Sequence, residues 1–261
     1  QSGTLPLFGY SGWGRPMKKA HTGESGLKWE AKDSSKLIGN KEIQMKKNQW
    51  PLRIILYAIG VLVLALGVTL NLKTGLGVSP IITVPFSVAA IGSWNVGNIT
   101  LLFYSLLTIL QLIIRGKDRR WTDLLQIPFS IVFTRLMNLF SAVLDLQPQH
   151  LWQQFVILFF AIVCTGVGAA MSVNMKIIAN PCDAFVNMAG ELSGKGMGFA
   201  KNIFDMANII IAFFIGLLSG HFLAGIGIGT VIAVLGLGRV IALFNKLFKE
   251  KTTKAAGISN K

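Results

Sequence analysis

Between Leu52 and Leu247 the chain returns repeatedly to stretches of about 20 mostly apolar residues with almost no ionisable group inside them. That is the length an α-helix needs to cross the hydrocarbon of a bilayer. With 52% apolar and only 14% charged residues and a positive mean hydropathy, the composition excludes an ordinary soluble domain. The lipid bilayer is the main solvent, and the expected fold is an all-α polytopic membrane protein.

The net charge of +14 does not indicate nucleic acid, because no basic-aromatic stripe is present and the charges gather at the ends of apolar segments, where topology signals sit. Cys164 and Cys182 lie in apolar surroundings with no metal or disulfide spacing. No metal-binding His pair and no Gly-rich phosphate loop occurs, and Ser219-Gly220-His221 is too short a fragment to argue a protease. Neither an enzyme nor a cofactor is expected.

Residues 1–44 are polar and rich in Gly, Ser and Lys, and read as a disordered extension. Met45 is followed by Lys46, Lys47 and Trp50-Pro51, the layout of a short basic amino terminus, and Lys41-Glu42 can be encoded AAG-GAG, a ribosome-binding sequence. Translation is therefore expected to begin at Met45; a tryptic peptide from the Gly26–Lys41 region in the natural protein would refute this.

The apolar part is a duplication. Residues 53–114 align with 154–215 at a constant shift of 101, placing Gly67 on Gly168, Pro80 on Pro181, Gly97 on Gly198 and Phe103 on Phe204. After a three-residue adjustment, Arg135–Phe140 falls on Arg239–Phe244. The organisation is a first membrane repeat at 45–148, a second at 149–248 and a basic cytoplasmic tail at 249–261. Each repeat reads as a long helix (52–72; 152–173), a short element opened by Ser79-Pro80 or Asn180-Pro181, and two further helices (99–115 and 121–144; 200–218 and 222–245). The short elements run about thirteen residues, near 20 Å, too short for a comfortable crossing.

Charge placement favours short elements that re-enter from the side they left. Three crossings per repeat then invert the second repeat against the first, keeping Lys46, Lys47, Arg53, the Arg115–Arg120 cluster, Lys176, Lys195, Lys201 and the tail from Lys246 to Lys261 cytoplasmic. Lys73 alone among loop cations stays outside, with Asp145, His150 and His221. Trp50, Trp94, Trp121 and Trp152 fall near the interfaces. The expectation is six crossings and two half-helices, with both termini cytoplasmic.

Gly75–Pro80, Asn180–Asp183, the Lys201-x-x-Phe-Asp205 stretch and Gly225–Thr230 resemble the YitT/YczE-like bacterial membrane proteins over about 52–247, although Cys182 stands where an aromatic is expected. The resemblance implies a bacterial inner-membrane protein usually supposed to be a small-molecule transporter. Some relatives look to be controlled by pyridoxal-phosphate-sensing regulators, a faint pointer to vitamin B6.

Proline in the first helical position after Ser79 or Asn180 starts each half-helix cleanly. If the approaches dip inward, both N-termini meet near mid-membrane with free N–H groups and partial positive charge, a site for an anion or dipole; otherwise they are capped surface turns. Arg135 and Arg239 lie inside apolar segments, where a charge is costly, and could flank the path of an anionic or carboxylated solute or simply snorkel. Asp183, in the first turn of the second half-helix, is a cap or a proton or cation carrier. Asn71, Ser172 and Asn174 could hydrogen-bond the solute, though ordinary helix-end polarity explains them as well, and Lys201 and Asp205 form a salt bridge. Gly225, Gly227, Gly229, Gly236 and Gly238 make one smooth helix, Gly225 and Gly229 forming a packing face. The leading expectation is a secondary transporter for a small anionic or carboxylated metabolite held at the repeat interface. A channel for a small solute and a non-transporting partner of another complex are the alternatives, and homo-oligomerisation stays open.

Overall fold

The computed structural model describes residues 49–118, 121–220 and 225–258, all within one unit, 43–261. The extension 1–44, the start at Met45, and Lys46, Lys47, Arg119, Arg120 and His221 lie outside the described residues. Among the described residues the fold is all-helical, with no strand. The helices are α1 (Trp50–Leu72), α2 (Pro80–Ile91), α3 (Val96–Arg115), α4 (Gln126–Val143), α5 (Leu151–Asn174), α6 (Pro181–Ser193), α7 (Gly196–Leu218) and α8 (Ile228–Ala255), with 3-10 turns at Gly116–Asp118 and Trp121–Leu125.

Six of these helices are long and apolar enough to cross a membrane: α1, α3, α4 with the turn before it, α5, α7 and α8. At 12 and 13 residues, α2 and α6 are not. The protein is a multi-pass membrane protein whose apolar helices contact lipid.

Local chemistry sets the helix ends. Pro51, Pro80 and Pro181 stand in first turns, where a missing N–H leaves no bond unmade. Asn95 Oδ1 accepts the Asn98 N–H at 3.0 Å, capping α3. Gly116 and Gly194, at positive φ, stop α3 and α6. Two boundaries depart from the sequence reading. Helix α8 starts at Ile228, so Gly225 and Gly227 belong to its approach rather than to a smooth helix face; Gly225 has φ 79°, which glycine adopts without a Cβ clash. The same helix runs on to Ala255, through much of the assigned tail, and Ala256 and Ile258 then fold against Met175.

Helix directions follow from contacts at successive levels. A Cβ built on Gly67 would land on the backbone of Thr165, and one on Gly168 on the backbone of Leu64, while Gly60 faces Met171 and Ser172; α1 and α5 therefore cross antiparallel with backbones in contact. Tyr57 meets Phe129 near one end of α1, and Thr69 Oγ1 donates to Met137 O at 3.4 Å near the other, so α4 runs parallel to α1. Helix α3 runs antiparallel to α4: Asn98 bonds Arg135, Tyr104 stacks on Phe133 and Thr108 reaches Gln126. Helix α8 runs parallel to α5, through Leu158 beside Ala233, Ile162 against Gly236, Gly166 against Val240 and Asn174 bonded to Asn245 at 2.9 Å.

The two short helices, α2 and α6, complete this frame. Helix α2 packs on α3 and α7, and α6 on α7 and α3. The main core joins Val61, Leu64 and Val68 of α1 to Ile82, Tyr104, Phe129, Phe133, Met137 and Cys182. Since lipid is as apolar as these side chains, what distinguishes inside from outside is close packing and small residues rather than amphipathic striping.

Candidate functional site

The approach to each half-helix is an extended segment tied to a long helix. Between α1 and α2, Leu76 O accepts the Gly229 N–H at 2.7 Å and the Val78 N–H donates to Gly225 O at 2.8 Å, while Gly77 presses on Gly227. Gly229 thus packs against the loop at Leu76, and Gly225 against the Phe86 ring of α2. Between α5 and α6, Arg53 donates to Met175 O at 2.7 Å and Lys176 O at 2.9 Å, and Tyr57 donates to Ile178 O at 3.1 Å. Both approaches turn through positive φ at aligned positions, Gly75 at 72° and Lys176 at 50°.

The half-helix N-termini are built as the sequence suggests but capped differently. Asn180 Oδ1 accepts the Cys182 N–H at 3.0 Å. Ser79 makes no side-chain cap; its own N–H donates to Asn71 Oδ1 at 2.7 Å, so Asn71 anchors the start of α2 to the last turn of α1. Pro80 and Pro181 are buried in the first turns.

Around the N-terminus of α6 the structure gathers polar groups from three helices. Tyr104 of α3, 1% exposed, lays its hydroxyl against Asn180 and Cys182. Half-buried Asp183 lies in the electrostatic field of Lys201 and Asp205 of α7, which form the expected ion pair at 3.0 Å. Phe185 and Phe204 close over the group with ring centroids 5.7 Å apart. One turn beyond Asp205, Asn208 is 3% exposed, and its Nδ2 has no hydrogen-bond partner among the described residues.

Other expected site residues are elsewhere. Arg135 is exposed and donates to Asn98 Oδ1 at 3.1 Å; Arg239 is exposed on α8. Ser172 donates to Ala169 O, and Asn174 pairs with Asn245. Among the described residues the buried cation is Arg53, 4% exposed, which the sequence alone marks only as a topological charge. Tyr104 and Asn208 were also missed. Their signal was present: Asp205 aligns with Tyr104 and Asn208 with Leu107, polar-for-apolar exchanges at positions facing the half-helices.

Comparison with known proteins adds kinship without an activity. Over 55 residues the chain is 78% identical to the uncharacterized protein YahM of Escherichia coli (strain K12), a match covering 21% of this chain and 68% of that protein. No solved structure matches. The model of the family of unknown function DUF6198 matches residues 51–246, from the first turn of α1 to well inside α8, and therefore takes in both half-helices and every polar group around them. The chain belongs to the DUF6198 family.

Proposed function

We propose that the protein is a secondary transporter built as two inverted copies, α1–α4 and α5–α8, each with three crossings and one re-entrant half-helix, carrying a small carboxylated solute between them. Several contacts support inversion. Gly67 on Thr165 and Gly168 on Leu64 are one contact seen from both sides, since Thr165 aligns with Leu64 and Gly168 with Gly67. The pairings α1·α4 and α5·α8, α2·α3 and α6·α7, and α2·α7 and α6·α3 likewise exchange. Because α3 runs antiparallel to α1, α2 begins and ends at one end of the bundle, as a re-entrant element does.

The two-fold axis of such a pair lies in the membrane plane, here between the levels of Leu64 and Gly67. Asn71, which holds the start of α2, stands four to seven residues beyond that axis, on the order of 10 Å or less at 1.5 Å per residue. The hydrocarbon extends about 15 Å from its middle. The start of α2, and by exchange that of α6, therefore falls inside the hydrocarbon, where a helix N-terminus can bind substrate.

The observation that carries transport rather than a static pore is a break in the exchange. Helices α3 and α4 pack along their length, whereas their counterparts α7 and α8 do not; α7 leans on α2 and α6 instead. Two copies of one design held in different conformations are what alternating access requires, with the opposite state reached when they swap.

Cysteine pairs test this without a substrate. With a bifunctional thiol reagent long enough to replace the reach of the arginine side chain, Asn98→Cys with Arg135→Cys should crosslink in the state described, and the aligned pair Phe199→Cys with Arg239→Cys in the swapped state. Each should form, and both should never form in one molecule. A doubly crosslinked protein, or a second pair that never closes, would reject alternation in favour of a fixed bundle.

A further inference from the structure

We infer that residues 256–258 are a latch, closed over the approach to α6 and holding the bundle in the state described; what the latch restrains rests on the transport reading above, whereas its contacts do not. The end of α8 is built to turn inward. The Ile258 N–H donates to Thr253 O at 2.9 Å and the Gly257 N–H to Lys254 O at 3.1 Å, with Gly257 at φ 69°. This pair of bonds stops a helix by folding the chain back on its last turn. Ala256 and Ile258, each 1% exposed, then pack with Met175, also 1% exposed, and with Leu56, Tyr57 and Ile177. Gly257 lies against Gln49, the residue before α1, so closely that a Cβ there would strike the Gln49 side chain. Three residues thus join the end of α8 to the start of α1 and to the segment leaving α5.

Their position gives the contact a consequence. Helix α8 holds an approach segment at each end: Gly229 and Gly225 bond Leu76 and Val78 before α2, and the latch covers Met175 and Ile177 before α6. Arg53 already holds the second segment by the carbonyls of Met175 and Lys176, and the latch adds cover over the side chains. Helix α6 begins at Pro181, four residues after Ile177, and packs along α7. For α7 to leave its present packing and lie along α8, the segment leading into α6 must shift, and Met175 must come out from under Ile258. Burial of one isoleucine weights such an equilibrium by roughly ten- to a hundredfold, enough to hold a state and little enough to release it.

The test uses the full chain in lipid nanodiscs with a membrane-impermeant maleimide, labelling at each cysteine being read by peptide mass. Met175→Cys puts a thiol under Ile258, where it reacts only while the latch is open. Adding Ile258→Asp should speed that reaction by roughly ten- to a hundredfold, and Ile258→Leu should leave it near the parent rate. Buried Cys182 should stay unreactive in every variant. Among the two crosslinking pairs above, Ile258→Asp should raise the yield of Phe199→Cys with Arg239→Cys and lower that of Asn98→Cys with Arg135→Cys. Unchanged labelling at position 175, or equal acceleration at Cys182, overturns the latch, the second because the three residues then belong to the general fold. Faster labelling at 175 with both pairs forming in unchanged yield overturns it too, since the contact then restrains nothing. If the second pair closes in no variant, alternation is what fails, and faster labelling at 175 leaves the closure over the approach to α6 standing without it.

Discussion

At the scale of single residues, the glycines at the crossing of α1 and α5 are the most sharply constrained. A methyl group at Gly67 or Gly168 would meet backbone rather than a side chain that could swing away, so the helices must part. Gly67→Ala and Gly168→Ala should each cost about 1–3 kcal/mol, read as a lower midpoint in thermal unfolding in detergent. Gly238→Ala, whose new methyl would meet open space, should be close to neutral. Lys176 works the other way. It holds φ at 50°, a region costing a side-chain-bearing residue about 1–2 kcal/mol, and the aligned residue is Gly75. Lys176→Gly should therefore raise the unfolding midpoint, and Lys176→Val should lower it. The alignment made the pairing of Gly67 with Gly168 legible beforehand, but not its contact partners, because a repeat offset says which positions correspond and nothing about which touch. An arginine in an apolar run, such as Arg135 or Arg239, is conspicuous in the sequence, but its helical face is set by packing that hydropathy does not encode; both are exposed.

At the scale of elements, the six long helices were legible because the bilayer fixes a length that local composition reveals directly. The two short helices, α2 and α6, were legible through their Ser-Pro and Asn-Pro openings and their brevity. The start of α8 was not, since a run of alternating glycines fits a tightly packed helix as well as it fits the extended approach that Gly225 and Gly227 form. The approach segments hang on few bonds. Arg53 supplies two of those holding the segment before α6, and its guanidinium also lies 5.0 Å from the Trp50 ring. Arg53→Gln leaves the Met175 and Lys176 carbonyls unsatisfied at a cost of about 1–3 kcal/mol. Since opening of this segment exposes the bond after Lys176, limited trypsinolysis there should accelerate roughly in proportion to the open population, by about five- to 150-fold. Unchanged cleavage would mean that Ala256 and Ile258, packed on Met175, hold the segment alone.

For the whole molecule the question is whether the alignment at a shift of 101 residues relates copies of the same or opposite orientation. Charge counting alone could reach inversion only by assuming that the half-helices do not cross. The antiparallel contact of α1 with α5, and the parallel runs of α1 with α4 and α5 with α8, make the same argument from packing. On the inverted reading proposed above, the C-terminal ends of α2 and α6 face opposite compartments. Ser93, just after α2, and Ser193, the last residue of α6, are both exposed, and the aligned turn positions Ser93 and Gly194 share positive φ, 53° and 66°. Ser93→Cys and Ser193→Cys, each made separately, place a reactive thiol in equivalent turns, while buried Cys182 and Cys164 within α5 stay out of reach of a membrane-impermeant maleimide. Ser93→Cys should label in right-side-out spheroplasts and Ser193→Cys only in inside-out vesicles. If both label from one side, the copies are parallel, the two short helices do not enter from opposite faces, and the proposed transport by inverted copies falls.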